Sequence, residues 1–382
     1  MREVAIFEIG QTPVAEHWDK SLLELAGEPI LQVFEKTGLT TVDAIFVGNM
    51  LCGSANRQLH LGAYVADWVG ARAAGAVHVE AACGSGGAAF RAALMAVASG
   101  DVETAIAVGV EKMTDSPSAE ISSELAGASD ADFEREMGVS FVALNAMVMR
   151  RYMQAYGYAK EDFAGFSINA HANGVNNPNA RFRYPITKES YAKSPMAADP
   201  INVLDASAMG DGAAAVLLVP FERIAGPGNA IKVVGSGSAT DTIAIHDRRD
   251  PLWLKAAELS AAQAYRQSGL SPREIDLFEM HDAFTIIAAL SLEACGFAER
   301  GKGVRLADPE LISPRGKLPL ATMGGLKARG HPVGATGLYQ LVEAIQQLRG
   351  ECGANQVDGA RIAMAQNIGG SGSNVYTHIL RR

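Results

Sequence analysis

The chain reads as an α/β protein built from two similar halves, and three observations predict it. Strand-like apolar runs alternate with amphipathic helical stretches, the order that builds mostly parallel sheets covered by helices. Two stretches resemble each other at an offset of 250: CGSGGAAFRAALMAVASGD (83–101) and VGATGLYQLVEAIQQLRGE (333–351). Glycine supplies 40 of 382 residues, above the usual share of roughly 7%, and is scattered among apolar segments as tight strand-to-helix turns require.

In chain order, MREVAIFEIG (1–10) reads as the first strand and 22–36 as a helix, followed by a GL turn and the apolar strand within GLTTVDAIFVGNM (38–50). The strand-like VHVEAA then leads into Cys83, a glycine-rich turn and about four turns of helix that stop at Gly100, as a terminating glycine would. TAIAVGV (104–110) is a buried-strand pattern. The second half repeats the series: a helix over 252–267, the turn and strand of GLSPREIDLFEMHDAF (269–284), the glycine turn and helix at 333–351, and the strand RIAMAQNI (361–368). Gly84, Gly87 and Gly100 match Gly334, Gly337 and Gly350. Two copies exclude a solenoid. The expected units are an N-terminal half of 1–112 with 201–225, an inserted loop or lid of 113–200, and a C-terminal half of 226–382. The insertion is rich in Asn, Pro, Ser and aromatic residues, with a helix-like 141–155 and a turn cluster at 176–179.

Composition narrows the function. With 42 acidic and 33 basic residues the formal charge is −9, the opposite of what a phosphate backbone attracts, so nucleic acid is not the expected partner. No run of 18 apolar residues and no basic-then-apolar leader pattern is present, which predicts no membrane association and a cytoplasmic setting. Cys52, Cys83, Cys295 and Cys352 lack CxxC or CxxH spacing, so no metal site and no disulfide framework is expected, and any cysteine chemistry rests on one thiol.

In open α/β sheets ligands sit beyond the carboxyl ends of the strands. Four segments end there: EAACGSGG around Cys83, EMHDAF around His281, GGLKARGHPVGATG around His331 and AQNIGGSGSN around Asn367. Cys83 lies between a strand and a helix start, where free N–H groups and the helix dipole are expected to lower its thiol pKa. His331 holds the matching turn of the second repeat, so pseudo-twofold packing would bring it toward Cys83, and such a pair can activate a thiol and return a proton to a leaving group.

Together with DASAMGDGAAAVLL (205–218), these motifs resemble the thiolases over nearly the whole chain. HDAF in place of NEAF makes the sequence most similar to archaeal acetoacetyl-CoA thiolases and sterol-carrier-protein-type thiolases. The resemblance implies a thiolase-like fold layered α-β-α-β-α. It also implies an acyltransferase that makes or breaks a 3-ketoacyl-CoA, by default acetoacetyl-CoA from two acetyl-CoA, through an acyl-cysteine. A condensing enzyme or aldolase acting on CoA-linked substrates, and a catalytically silent acyl-CoA-binding subunit, are the alternatives. By resemblance Cys83 is the nucleophile, His331 activates it, and His281 with His331 polarises the second thioester. The resemblance further implies that the N–H groups of Cys83 and Gly369 form the oxyanion hole, and that coenzyme A is substrate and product with no tightly bound cofactor. By the same resemblance GSGSATDTIAIHDRR (235–249) lies where the family's pantetheine and nucleotide loop begins, so Ser236 and Ser238 are candidate CoA contacts and Arg248 a candidate phosphate partner, with Gly325 a further candidate contact. The implied partners are a second copy or a dimer of dimers, a small zinc-ribbon and OB-fold protein, and HMG-CoA synthase. Most thiolases carry a second cysteine where this chain has Asn367, and the sterol-carrier type carries one at the position of Ala283. The two imidazoles are therefore left to share the remaining proton work.

Overall fold

The computed structural model describes residues 2–224 and 230–382. The first half runs β1 (Val4–Gln11), α1 (Leu22–Thr37), β2 (Ala44–Gly48), α2 (Leu61–Trp68), β3 (Gly75–Val79), α3 (Ser85–Ser99) and β4 (Ala105–Glu111). An excursion follows with α4 (Ser118–Ala126), α5 (Phe141–Tyr156), α6 (Ala164–Gly174), α7 (Lys188–Ala192) and a hairpin of β5 (Met196–Ala198) and β6 (Ile201–Asn202). The chain stays outside the main sheet through the segment read as 113–200 and on to Asp211, then re-enters as β7 (Gly212–Pro220). The expected boundary between 225 and 226 lies outside the described residues. The second half runs β8 (Ile231–Thr240), α8 (Lys255–Ser268), β9 (Leu277–Glu279), α9 (Thr285–Ala294), α10 (Pro309–Ile312), α11 (Thr336–Arg349), β10 (Ile362–Gly369) and β11 (Asn374–Arg381).

Among the described residues the strands line up as β3-β2-β4-β7-β1-β8-β11-β10-β9. β2 is parallel to β3 and β4, with β7 reversed between β4 and β1. In the second half β9 is parallel to β10, with β11 reversed between β10 and β8. Setting β1, β2, β4 and β7 against β8, β9, β10 and β11 gives the same order twice. The place of β3 is taken in the second half by a single parallel bridge, Phe278 to Leu320. Among the described residues the two halves meet edge to edge through two residue pairs, Ala5 with Lys232 and Ile6 with Ile231. The repeat in the sequence is thus a repeat in topology.

Alternating apolar faces produce the layers. On one outside, Leu25, Ile30 and Val33 of α1 cover Ile45, Val47, Ile106 and Leu217. In the middle, Phe90, Ala93 and Val97 of α3 and Leu338, Leu341 and Ile345 of α11 pack with Ala107 and Val216 of the first half and with Ala363 and Ala365 of the second. On the other outside, Ala257, Ala261, Ile286 and Leu290 of α8 and α9 cover Phe278, Met364 and Ile379. Each fully buried Leu, Ile or Phe contributes about 1.5–3 kcal/mol. The helix expected over 252–267 begins at Lys255, because Leu252 and Leu254 are buried in the core and the Leu252 N–H donates to the Asp250 carboxylate at 3.0 Å.

Candidate active site

The paired central helices bring the four motif turns together. After β3 the chain turns through Ala82, which holds a left-handed φ of +51°, a conformation that costs a non-glycine residue about 1–2 kcal/mol. Ser85 holds the turn: its Oγ accepts from the Ala81 N–H at 2.9 Å and donates to the Ala82 carbonyl at 2.6 Å. The turn delivers Cys83 to the wall of a cavity of about 380 Å³ that His281 and His331 also line. Ser122, Phe141, Asn145, Met209 and Phe284 line the same cavity, so the inserted segment supplies part of its wall.

The two histidines stand edge to face, with ring centroids 5.1 Å apart. His281 follows β9 and His331 precedes α11 in the turn that begins with the π-helical 325–329. The Thr336 hydroxyl is 2.6 Å from His331 Nδ1 and donates to the Pro332 carbonyl at 3.0 Å. Asn367, near the end of β10, is tied on three sides. Its Oδ1 accepts from the Gly87 N–H at 3.0 Å, while its Nδ2 donates to the Cys83 carbonyl at 2.9 Å and lies 3.2 Å from His281 Nδ1. The Asn367 amide thus touches the Cys83 turn and one imidazole, and does not line the cavity. Ile368 and Gly370 do line it, and the Gly369 N–H lies against the Cys83 turn, 3.2 Å from where a Cβ on Gly84 would stand. A Cβ on Gly369 would lie 2.3 Å from the backbone carbonyl oxygen of Ala81, so only glycine fits there.

The electrostatics depart from the expectation for Cys83. The helix start is present, but burial outweighs it: desolvation first, then the carboxylates of Glu111 and Glu80, push the thiol up to about 12 against the pull of its own N–H. Burial, with help from the Arg329 guanidinium, pushes His281 down to about 3. Burial, His281 and Arg329 hold His331 well below its ordinary value. The pKa shifts thus favour a protonated thiol and two neutral imidazoles lining the one cavity. Arg329 is itself fully buried, paired with Glu343 at 3.0 Å and stacked on Tyr339. Glu111 accepts from the N–H groups of Met50, Leu51 and Gly334 and from Asn49 Nδ2, joining the loop after β2 to the turn after His331. Sequence reasoning missed Thr336, Glu111 and Arg329. Thr336 and Arg329 lie inside the His331 motif, which offered a signal for both; Glu111 carried none.

The expected CoA contacts do not gather at this cavity. Ser236 and Ser238 are not in a loop but in β8, opposite His378 and Tyr376 of β11. The Ser236 hydroxyl is engaged with Arg91 and His378 Nδ1. Gly325 starts the π-helical turn at φ +53° and packs against the Asp282 carboxylate, where a Cβ would be 2.7 Å away. Arg248 is buried, donates to the Ser371 carbonyl at 2.9 Å and lines a separate cavity with Arg249, Trp253, Lys255 and Arg300. Among the described residues no group of three or more His, Cys, Asp or Glu side chains is arranged to hold a metal ion.

The pattern "Thiolase, N-terminal domain" matches residues 4–222, and "Thiolase C-terminal domain-like" matches 237–382. The chain belongs to the thiolase family. An acetyl-CoA acetyltransferase of Methanothermobacter thermautotrophicus is 43% identical over the full length of both chains. A second protein of that name, from Methanocaldococcus jannaschii, is 35% identical over all of this chain and 99% of its own. Among solved structures, a chain of the Ltp2-ChsH2(DUF35) aldolase superposes with a TM-score of 0.86 at 23% identity, covering 99% of this thiolase and 97% of that chain, a likeness of fold. The thiolase activity that goes with the family and the relatives is transfer of an acyl group, making or breaking a 3-ketoacyl-CoA. Among the described residues no helix of this thiolase is long and apolar enough to cross a membrane.

Proposed function

We propose that this thiolase is an acetyl-CoA C-acetyltransferase that joins two acetyl-CoA into acetoacetyl-CoA, or cleaves it in reverse, with the acetyl group carried on Cys83. The convergence of Cys83, His281 and His331 on one buried cavity supports this most directly, and the two archaeal relatives carry that activity in their names. His331 takes the thiol proton, the sulfur attacks the thioester carbonyl, and the proton returns to the departing CoA thiolate. The N–H groups of Cys83 and Gly369 receive the oxyanion of this step, and donors of this kind are typically worth about 3–4 kcal/mol each. His281 holds the carbonyl oxygen of the second thioester. The pantetheine arm enters between α4 and α5, whose residues Ser122, Leu125, Phe141 and Asn145 wall the cavity.

The four cysteines are free and buried, which accords with a cytoplasmic setting. β3 is the sheet's open edge and is exposed along its length, as a homodimer interface would be. Phe133, Met137, Met147 and Met196 of the inserted segment expose apolar surface suited to a small partner protein. The DUF35 in the name of the solved Ltp2-ChsH2(DUF35) aldolase supports a partner of that kind. The activity test mixes the protein with acetoacetyl-CoA and CoA and follows loss of the 3-ketoacyl absorbance. Thiolysis dependent on CoA is the expected result. Its absence, with longer or aromatic 3-ketoacyl-CoA cleaved instead, would overturn the acetyl assignment.

A further inference from the structure

We propose that His331 is the base for both proton abstractions of the condensation and that His281 is fixed as a hydrogen-bond donor, able to hold the enolate oxygen but not to take the α-proton. The inference rests on the acetyl-CoA reading above and is carried by an inventory of protons. A hydroxyl has one proton, and that of Thr336 goes to the Pro332 carbonyl at 3.0 Å. At 2.6 Å from His331 Nδ1 the same oxygen must therefore accept, so Nδ1 carries the hydrogen and Nε2 is bare. The Asn367 amide is oriented by two backbone groups of opposite kind: the Gly87 N–H can only meet Oδ1, and the Cys83 carbonyl can only meet Nδ2. The remaining Nδ2 hydrogen points to His281 Nδ1 at 3.2 Å, which must accept it, so the hydrogen of that ring sits on Nε2. Two neutral imidazoles side by side thus hold opposite tautomers, one an acceptor and the other a donor.

No other group competes for the role. Among the described residues the titratable side chains lining the cavity are Cys83, His281 and His331, and Cys83 is acylated when the α-proton must leave. The nearby Glu111 carboxylate is already occupied by four N–H donors. The balance closes with one base. In the first half His331 takes the Cys83 proton, the S–C bond forms, the bond to CoA breaks, and CoA leaves as its thiol with that proton. His331 is then bare again. In the second half it takes a methyl proton from the second acetyl-CoA, and the electron pair passes to the enolate oxygen held by His281 Nε2–H. The enolate carbon attacks the acetyl carbonyl, the C–S bond to Cys83 breaks, and the thiolate recovers the proton from His331. Asn367 is on this account a positioning residue that keeps His281 in the donor tautomer.

The test removes the nucleophile so that the two duties of His331 separate. In a Cys83→Ala background, exchange of the acetyl-CoA methyl hydrogens with D₂O should persist, and adding His331→Gln should slow it by about a hundredfold or more, the usual worth of a general base. Adding His281→Asn, which can donate but not accept a proton at neutral pH, should slow it less than about tenfold, whereas His281→Ala should cost about a hundredfold. Thermal unfolding of each variant checks that the fold is kept. Exchange at the parent rate after His331→Gln would overturn the proposal. So would equal losses for His281→Asn and His281→Ala, or no exchange in the Cys83→Ala parent. Failure of the wild-type protein to cleave acetoacetyl-CoA would instead strike the acetyl-CoA reading, so the two failures are distinguishable.

Discussion

Desolvation and two carboxylates push the Cys83 thiol up to about 12, so near neutrality the thiolate exists only when a neighbour receives its proton. His331 can be that neighbour because its own basicity is suppressed by burial, by His281 and by Arg329, and it remains neutral. The pH dependence follows in sign. A base with a lowered pKa stays competent as the solution is acidified and is lost only when pH falls through that lowered value. Acetyl exchange between acetyl-CoA and CoA should therefore hold level from pH 9 down to about 6, below the ordinary histidine value of about 6.5. Burial pushes the Glu111 carboxyl up to about 7, so a limb with its midpoint near 6.5 in the pH profile of kcat/KM that persists in Glu111→Gln would show that His331 keeps ordinary basicity. Thr336→Val removes the acceptor of the Nδ1 hydrogen and lets the ring take the other tautomer. Acetyl exchange should fall by about tenfold or more, with KM little changed, and a wild-type kcat would dismiss the tautomer argument.

At the scale of elements, the site exists because α3 and α11 cross closely beneath it. A Cβ on Gly337 would lie 2.4 Å from both Asn367 Oδ1 and the Gly87 nitrogen. Gly337→Ala should then cost about 1–3 kcal/mol, as overpacking does, and lower acetyl exchange along with the thermal midpoint. A variant as stable as the parent would mean that the helices have room to part. This crossing was legible in the sequence as matched glycines, and the helix ends at Gly100 and Gly350 fall where left-handed glycines stop them. That Cys83, His281 and His331 come together was legible too, because a thiol and two imidazoles sit in turns that a repeat places opposite one another. The thiol's raised pKa was not, since a helix start can be read from spacing but the burial that outweighs it cannot. Nor were the tautomers, which depend on where Thr336 and Asn367 send single hydrogens. Ser236 and Ser238 were misplaced because a Gly-Ser run that looks like a loop is here a strand, with Gly237 pressed within 2.0 Å of the Ser260 carbonyl for any added Cβ.

For the whole molecule, the doubled topology leaves two unlike ends. The second half ends on β9 and a single bridge, whereas the first ends on β3, a full strand with an unpaired outer edge and Val77 49% exposed. Tyr64 and Trp68 of α2 add exposed aromatic surface nearby. Natural proteins protect such an edge, and in the dimer proposed above a second copy adding its own β3 would cover it symmetrically. Light scattering at micromolar concentration should give at least a dimer, and Val77→Asp should shift it toward the monomer. A wild-type monomer would refute the interface. The acyl-enzyme stands above these as the central claim, because every later step needs a carbon held on Cys83. Incubation with radiolabelled acetyl-CoA, a denaturing quench and mass spectrometry of the Cys83 peptide measure it directly. The expected result is one acetyl group per chain on Cys83 and no label in Cys83→Ala, whose fold is intact and whose turnover is gone. Label elsewhere, or turnover in Cys83→Ala above a few per cent of wild type, would contradict it.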